Sequence, residues 1–284
     1  MQRLALYNFL SFTGGPSRLF LAWRGRYHRW AHGEIGPVKV AAYQAPLLPS
    51  GSFEALDLIR RRVKWCELEG VTILCCPEAI LGGLADHATD PALFALDAQG
   101  DQLSRMLAPL ASDTVTTIVG FTEVTGAETL HNTAAVYHKG SIVGLYRKLH
   151  PAIHRSIYEP GDQLPVFQVG ELVFGIVICN DSNYVEPAKA LAAQGATALF
   201  VPTNNGLPPG KTSPELVDRA RNCDIARAIE NRMWVIRADV AGHASGLTSD
   251  GASGIVDCDG AVRQSAARSK EDLVVADIGG SARP

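Results

Sequence analysis

Apolar and polar positions change their spacing in blocks along this chain, and the blocks alternate between the lengths of strands and of helices. Val38-Lys39-Val40-Ala41-Ala42-Tyr43-Gln44 reads as a first strand. Ser52 can cap a helix through about residue 69, whose Phe53, Leu56, Val63 and Cys66 form a mainly apolar stripe ended by Gly70. Apolar runs at 71–76, 115–123, 173–179, 198–201 and 233–238 read as strands, several rich enough in β-branched residues to be buried on both faces. Residues 132–137 and 141–146 form a hairpin that turns at His138-Lys139-Gly140, and Asp257-Cys258-Asp259-Gly260 is a second hairpin turn. Helices are predicted near 99–112 and 184–194. A third runs to about 231 from Ser213-Pro214-Glu215, which supplies a cap, a first-turn proline and an acid. The alternation predicts an α/β fold.

Composition narrows the class. Hydrophobic content of 46%, charged content of 19% and a net charge of −3 describe a globular chain with a large core and no call for nucleic acid. No apolar stretch has the length of a membrane span. Cysteines at 66, 75, 76, 179, 223 and 258 have neither disulfide nor metal spacing, and Cys75 and Cys76, adjacent in a strand, face opposite ways. A reducing cytoplasm is the expected setting, with no cofactor and no metal. Residues 1–36 stand apart, with Arg3, Arg18, Arg24, Arg26 and Arg29 against Glu34 alone. They are read as a disordered arm or a start-site artefact, with a transit peptide as the other reading, and 37–284 as one domain.

Three residues that end strands carry chemistry. Cys179 closes the run Phe174-Gly175-Ile176-Val177-Ile178 and faces a helix-like stretch, a place where a thiol can act as a nucleophile. Glu78 stands just past a strand stopped by Pro77 and is a candidate base. Lys148, at the mouth of the loop after residues 141–146, is a cation able to stabilise a developing oxyanion.

At these residues the chain resembles the nitrilase superfamily of carbon–nitrogen hydrolases. The likeness lies in Pro77-Glu78-Ala79, Gly144-Leu145-Tyr146-Arg147-Lys148-Leu149-His150 and Gly175-Ile176-Val177-Ile178-Cys179-Asn180-Asp181. Gly195-Ala196, Val201-Pro202, Ala226-Arg227-Ala228-Ile229-Glu230-Asn231 and Gly251-Ala252-Ser253-Gly254-Ile255-Val256 extend it in unbroken order. The resemblance implies a four-layer αββα sandwich, often paired into homodimers or larger homo-oligomers. It also implies Glu78 as general base, Lys148 as oxyanion partner, Cys179 as nucleophile and the Asn180 backbone N–H as a further oxyanion donor. The implied reaction is hydrolysis of an amide or N-carbamoyl amine of a small molecule through a thioester. Nitrile hydrolysis is the alternative, and a non-catalytic nitrilase-like binding protein is a third.

Secondary roles are less determined. Glu123 is a candidate for orienting Lys148, or an edge carboxylate. Many members carry a second glutamate between the lysine loop and a Pro-Gly pair, where this chain places His154 or Ser156, so that Glu159, before Pro160-Gly161, either takes over the role or the role is absent. Asn180 replaces a common aromatic, and Asn183 a frequent arginine. Asn183, Tyr184, Asn204 and Asn205 are expected to border the pocket, their amides suiting a small substrate with hydrogen-bonding groups. Asn204-Asn205-Gly206 is equally an ordinary turn. His150 and His154 allow a rival Cys-His hydrolase.

Overall fold

The structure, a computed structural model, describes residues 37–126, 128–152, 156–211 and 214–279. The expectations for residues 1–36, His154 and Ser213 lie outside these. The elements begin with β1 (Val38–Pro46), α1 (Ala55–Glu69), β2 (Ile73–Cys75), β3 (Leu96–Asp97), α2 (Gln102–Leu107), β4 (Thr116–Val124), β5 (Leu130–His138) and β6 (Ser141–Arg147). They continue with β7 (Val166–Val169), β8 (Leu172–Ile176), α3 (Val185–Ala193), β9 (Ala198–Pro202), α4 (Pro214–Asn231) and β10 (Trp234–Ala238). Last come β11 (Val240–Ala244), β12 (Leu247–Ser249), β13 (Gly254–Val256), β14 (Val262–Ser265) and β15 (Asp272–Ile278).

Two sheets form. One runs β12-β11-β1-β2-β4-β5-β6, with β15 also on β1 and β3 on β4; the other runs β14-β13-β10-β9-β8-β7. β1, β2 and β4 are mutually parallel, as are β8, β9 and β10. The side chains sort into three apolar layers because successive residues of a strand face opposite ways. Ala41, Tyr43, Leu74, Val119 and Phe121 of the first sheet pack with Ile59, Val63 and Cys66 of α1 and Leu103 and Leu107 of α2. Their neighbours Val40, Ala42, Ile73 and Ile118 pack instead with Phe174, Ile176, Phe200 and Ile236 of the second sheet. The outer face of that sheet, through Leu199, Val201 and Val235, meets Ala188 and Leu191 of α3 and Ala228 of α4. Helix, sheet, sheet, helix is the expected αββα sandwich. Cys75 falls in the layer between the sheets and Cys76 in the layer beneath α1.

Local boundaries differ where side-chain chemistry intervenes. Helix α1 begins at Ala55, because the Ser52 hydroxyl accepts from the Glu54 N–H at 3.2 Å in a preceding turn; its end is as read, with Gly70 left-handed at φ 70°. The helix expected near 99–112 is cut to α2 and a 3₁₀ turn at Ala108–Leu110, since Pro109 offers no N–H to continue the ladder. Strand β10 starts at Trp234, the Met233 N–H being turned back to the Ala228 carbonyl at 3.2 Å.

β6 is antiparallel to β5, and β5 to β4, so β6 runs the same way as β2 and β4. The carboxyl ends of β2 and β6 therefore lie along one edge of the first sheet. That edge is where Glu78 and Lys148 follow their strands, and the second sheet delivers Cys179 to it.

Candidate active site

Glu78 is 1% exposed, and the three bonds its carboxylate accepts come from the ends of three different strands. Its Oε1 accepts from Lys148 Nζ at 2.6 Å and from Asn132 Nδ2, at the start of β5, at 2.8 Å. Oε2 accepts from the Asn204 backbone N–H, past β9, at 2.9 Å. The segment reaches this place because β4 carries Gly120, where a Cβ would lie 2.5 Å from both the Pro77 carbonyl and the Ala79 nitrogen. Ala79 then turns with φ 45°.

Lys148 is 5% exposed. Its backbone is fixed on both sides, the N–H donating to Asn132 O and the carbonyl accepting from Gly161 N, each at 2.8 Å. Gly161 is the residue whose close approach permits this, since a Cβ there would run into Arg147. Burial works against the ammonium, but the Glu78 carboxylate, joined by Cys179 and Asp181, holds the group above the ordinary lysine range.

Cys179 opens a 3₁₀ turn, Cys179–Asn183, in the left-handed region at φ 45°, a conformation that costs a non-glycine residue energy and persists only where its surroundings impose it. Two buried charged groups do so. Asp181, fully buried, accepts at Oδ2 from the Ile178 N–H at 3.0 Å and the Tyr146 hydroxyl at 2.8 Å, and at Oδ1 from the His150 N–H at 2.7 Å. It thus ties the Cys179 turn to the lysine loop. Arg237 of β10 pairs with Asp224 of α4 at 2.6 Å and donates at 3.0 Å to the Ser182 hydroxyl, which in turn donates to the Cys179 carbonyl at 2.8 Å. The thiol itself is pushed up to about 12, first by burial and then by the Glu78 carboxylate, against the opposing pull of Lys148 and Arg237. Its side-chain neighbour is Asn205 Oδ1, 4.0 Å away, and the Asn205 amide is held in turn by buried Asp239 at 2.8 Å.

The structure brings Glu78, Lys148 and Cys179 into one electrostatic cluster, in which the charges of the first two both act on the thiol. The other predicted residues are placed differently. Glu123 is buried, but its carboxylate is taken by Arg147, with two contacts of 2.7 Å, and by the Thr133 hydroxyl at 2.8 Å. It holds the neighbour of Lys148 instead of Lys148. Glu159 has an exposed side chain and is anchored by its backbone, the N–H on Leu130 O and the carbonyl on His131 Nδ1. Asn183 and Tyr184 are exposed; Asn183 bonds Asn180 Oδ1 at 2.8 Å and Tyr184 stacks on His150 with ring centres 3.9 Å apart. His150 is engaged by Asp181 and Tyr184, and Asn180 Nδ2 holds the His150 carbonyl at 3.1 Å. Asn204 does meet the site, and its Oδ1 also accepts from the Gly206 N–H at 3.0 Å, so the pocket residue and the turn are one feature.

Asn132, Asp181, Arg237 and Asp239 were missed as site residues. For two of them a signal was present: Arg237 and Asp239 interrupt an apolar run, and charged residues inside buried strands are rare unless paired. Among the described residues no group of three His, Cys, Asp or Glu side chains is arranged to hold a metal ion, and no helix is long and apolar enough to cross a membrane.

Comparison with known proteins shows the family and the fold. Residues 39–283 match the Carbon-nitrogen hydrolase family. A nitrilase of Pyrococcus abyssi is 30% identical over 179 residues, 62% of this chain and 64% of that protein, so the chain spans less than two thirds of its length. An (R)-stereoselective amidase of Pseudomonas sp. is 30% identical over 206 residues, 72% of each chain. Among solved structures, the amidase of Nesterenkonia AN1 from the nitrilase superfamily superposes with a TM-score of 0.72 at 24% identity, covering 85% of this chain and 90% of that one; the likeness is one of fold.

Proposed function

Because the chain belongs to the carbon–nitrogen hydrolase family, we propose that it hydrolyses the amide or N-carbamoyl bond of a small molecule through a thioester on Cys179, with Glu78 and Lys148 completing the catalytic set. The observation that carries this reading is the buried 2.6 Å pair of Lys148 Nζ and Glu78 Oε1, set beside a thiol on a left-handed turn.

A thiol pushed up to about 12 is protonated at neutral pH, so attack needs a base that removes the proton as the bond forms. Glu78 is that base. Cys179 Sγ adds to the carbonyl carbon, and the oxyanion is held by Lys148 and by the Asn180 backbone N–H, which heads the 3₁₀ turn where first-turn donors have no partner within the helix. Glu78 returns the proton to the leaving nitrogen, ammonia or an amine departs, and the acyl group stays on sulfur. Glu78 next takes a proton from water as the water adds to the thioester, and on collapse returns it to the departing Cys179 sulfur, which frees the acid and restores the thiol. Asn132 and the Asn204 N–H keep the carboxylate aimed throughout.

Purified protein offered ω-amides, N-carbamoyl compounds and nitriles should release ammonia from an amide or carbamoyl compound, and hydroxylamine should intercept the acyl group as a hydroxamate. Cys179→Ala should lower turnover by at least about 10³-fold, the scale on which loss of a nucleophile acts, while Cys66→Ala retains it. Substantial turnover by Cys179→Ala would remove the acyl-enzyme, and turnover confined to nitriles would replace the amide reading.

A further inference from the structure

Beside the catalytic set lies a cavity of about 130 Å³. Its walls include Leu47 beyond β1, Ile80 and Leu84 beyond β2, Val240 of β11 and Leu247 of β12. Two further lining residues join it to the reacting groups. Ala79 is peptide-bonded to Glu78. Asn204 donates its backbone N–H to Glu78 Oε2 at 2.9 Å and precedes Asn205, whose Oδ1 is 4.0 Å from Cys179 Sγ. The cavity therefore adjoins the backbone on either side of the Glu78 carboxylate and lies on the side of the thiol marked by Asn205.

The lining decides what that group is. None of the lining residues carries a carboxylate, ammonium or guanidinium, and the one ionisable side chain is the half-buried imidazole of His87. Leu47, Ile80 and Val240 are all but closed to solvent, at 8%, 4% and 1% exposure, whereas Ser50 and Ser245 are exposed and mark the polar mouth. A charged tail would lose its water here and find no counter-charge, which is strongly unfavourable. A hydrocarbon would gain. An apolar cavity of about 150 Å³ accepts a group the size of benzene, so this one suits about four to six carbons.

Resting on the reading that the site cleaves amides, we propose that the cavity receives the hydrocarbon part of the acyl group, and that the preferred substrates are primary amides of unbranched aliphatic acids with about four to six carbons beyond the carbonyl. Of the asparagines expected from the sequence to border the pocket, Asn204 lines this cavity and Asn205 lies between it and the thiol.

Binding tests the cavity apart from turnover. The Cys179→Ala protein would be titrated calorimetrically with propionamide, butyramide, pentanamide and hexanamide, and with 5-aminopentanamide as the charged counterpart. Affinity should rise about fourfold per methylene, the factor that 0.8 kcal/mol per buried CH₂ corresponds to, and 5-aminopentanamide should bind far more weakly than hexanamide. Leu247→Trp, on a short hairpin at the sheet edge, and Leu84→Phe should each flatten the series by filling the cavity. A flat or inverted series, equal binding of the charged amide, or a gradient that survives both substitutions overturns the proposal. If the gradient holds but the unsubstituted protein releases no ammonia from hexanamide, the cavity assignment stands and the amidase reading falls.

Discussion

Glu78 and Lys148 pull the Cys179 thiol in opposite directions, which makes their separate substitution informative. Burial sets the thiol high, the carboxylate raises it further, and Lys148 lowers it. Glu78→Gln removes the anion, so the thiol pKa falls and the thiolate fraction at pH 8 rises. Alkylation of Cys179 by iodoacetamide, followed by mass spectrometry of its peptide, should then quicken. Turnover should nevertheless fall by about 10²–10⁴-fold, the usual worth of a general base. Lys148→Met should slow both, because the cation that favours thiolate is lost together with the oxyanion partner. In the unsubstituted protein alkylation should climb about tenfold per pH unit through pH 7–10, since the thiolate fraction does so below a pKa of about 12. If Glu78→Gln alkylates more slowly than the unsubstituted protein, the carboxylate is not acting on the thiol and the assignment of the base is wrong.

At the scale of elements, the nucleophile turn depends on Asp181. Both of its oxygens already accept, Oδ1 from the His150 N–H and Oδ2 from the Ile178 N–H and the Tyr146 hydroxyl. Asp181→Asn keeps the size but aims an NH₂ group at a donor whichever way the amide lies. That leaves a buried polar clash of about 1–3 kcal/mol, and a displacement of the turn by an ångström is worth up to about 10²-fold in rate. The expected result is a kcat lowered more than KM is raised, with a reduced melting temperature. An unchanged kcat would detach Asp181 from the turn. The turn also shows which parts of the chain were legible beforehand. Glu78 and Cys179 follow continuous apolar stretches, 71–76 and 173–179, and Lys148 follows a strand announced by its hairpin turn, so the motifs fall at strand ends. Strands β7, β11, β12 and β15 went unread because polar or glycine residues interrupt their apolar positions, so that pairing with a neighbour makes them strands. Glu123 was read as a partner for Lys148 because sequence order cannot tell which of two adjacent cations a carboxylate meets; side-chain alternation along β6 gives it Arg147.

On the scale of the whole molecule, the site belongs to neither sheet. Glu78 and Lys148 follow strands of the nine-stranded sheet and Cys179 follows β8 of the six-stranded one, so their spacing is set by the apolar layer between the two. Phe200 of β9 sits at the middle of that layer, fully buried, with its ring edge-on to Phe174 at 5.1 Å, while Phe174 stacks on Phe167 at 5.5 Å. Its backbone carbonyl accepts from the Val177 N–H at 3.0 Å, two residues before Cys179. Phe200→Ala would leave a void that a close-packed layer cannot refill, at a cost of about 3–5 kcal/mol, or a melting point lower by about 6–20 °C for a chain of this size. The two sheets share the layer, so they should still melt in one transition, whether followed by circular dichroism or by loss of turnover. Turnover of the protein still folded at 25 °C should also fall, because collapse toward the void shifts Cys179 relative to Lys148. Leu68→Ala, on a helix face where the side chain is 85% exposed, is the matched loss of an apolar side chain and should change neither quantity. Two separate melting transitions in the Phe200→Ala protein, or full turnover beside a lowered melting point, would mean that each sheet holds its part of the site independently of the layer between them.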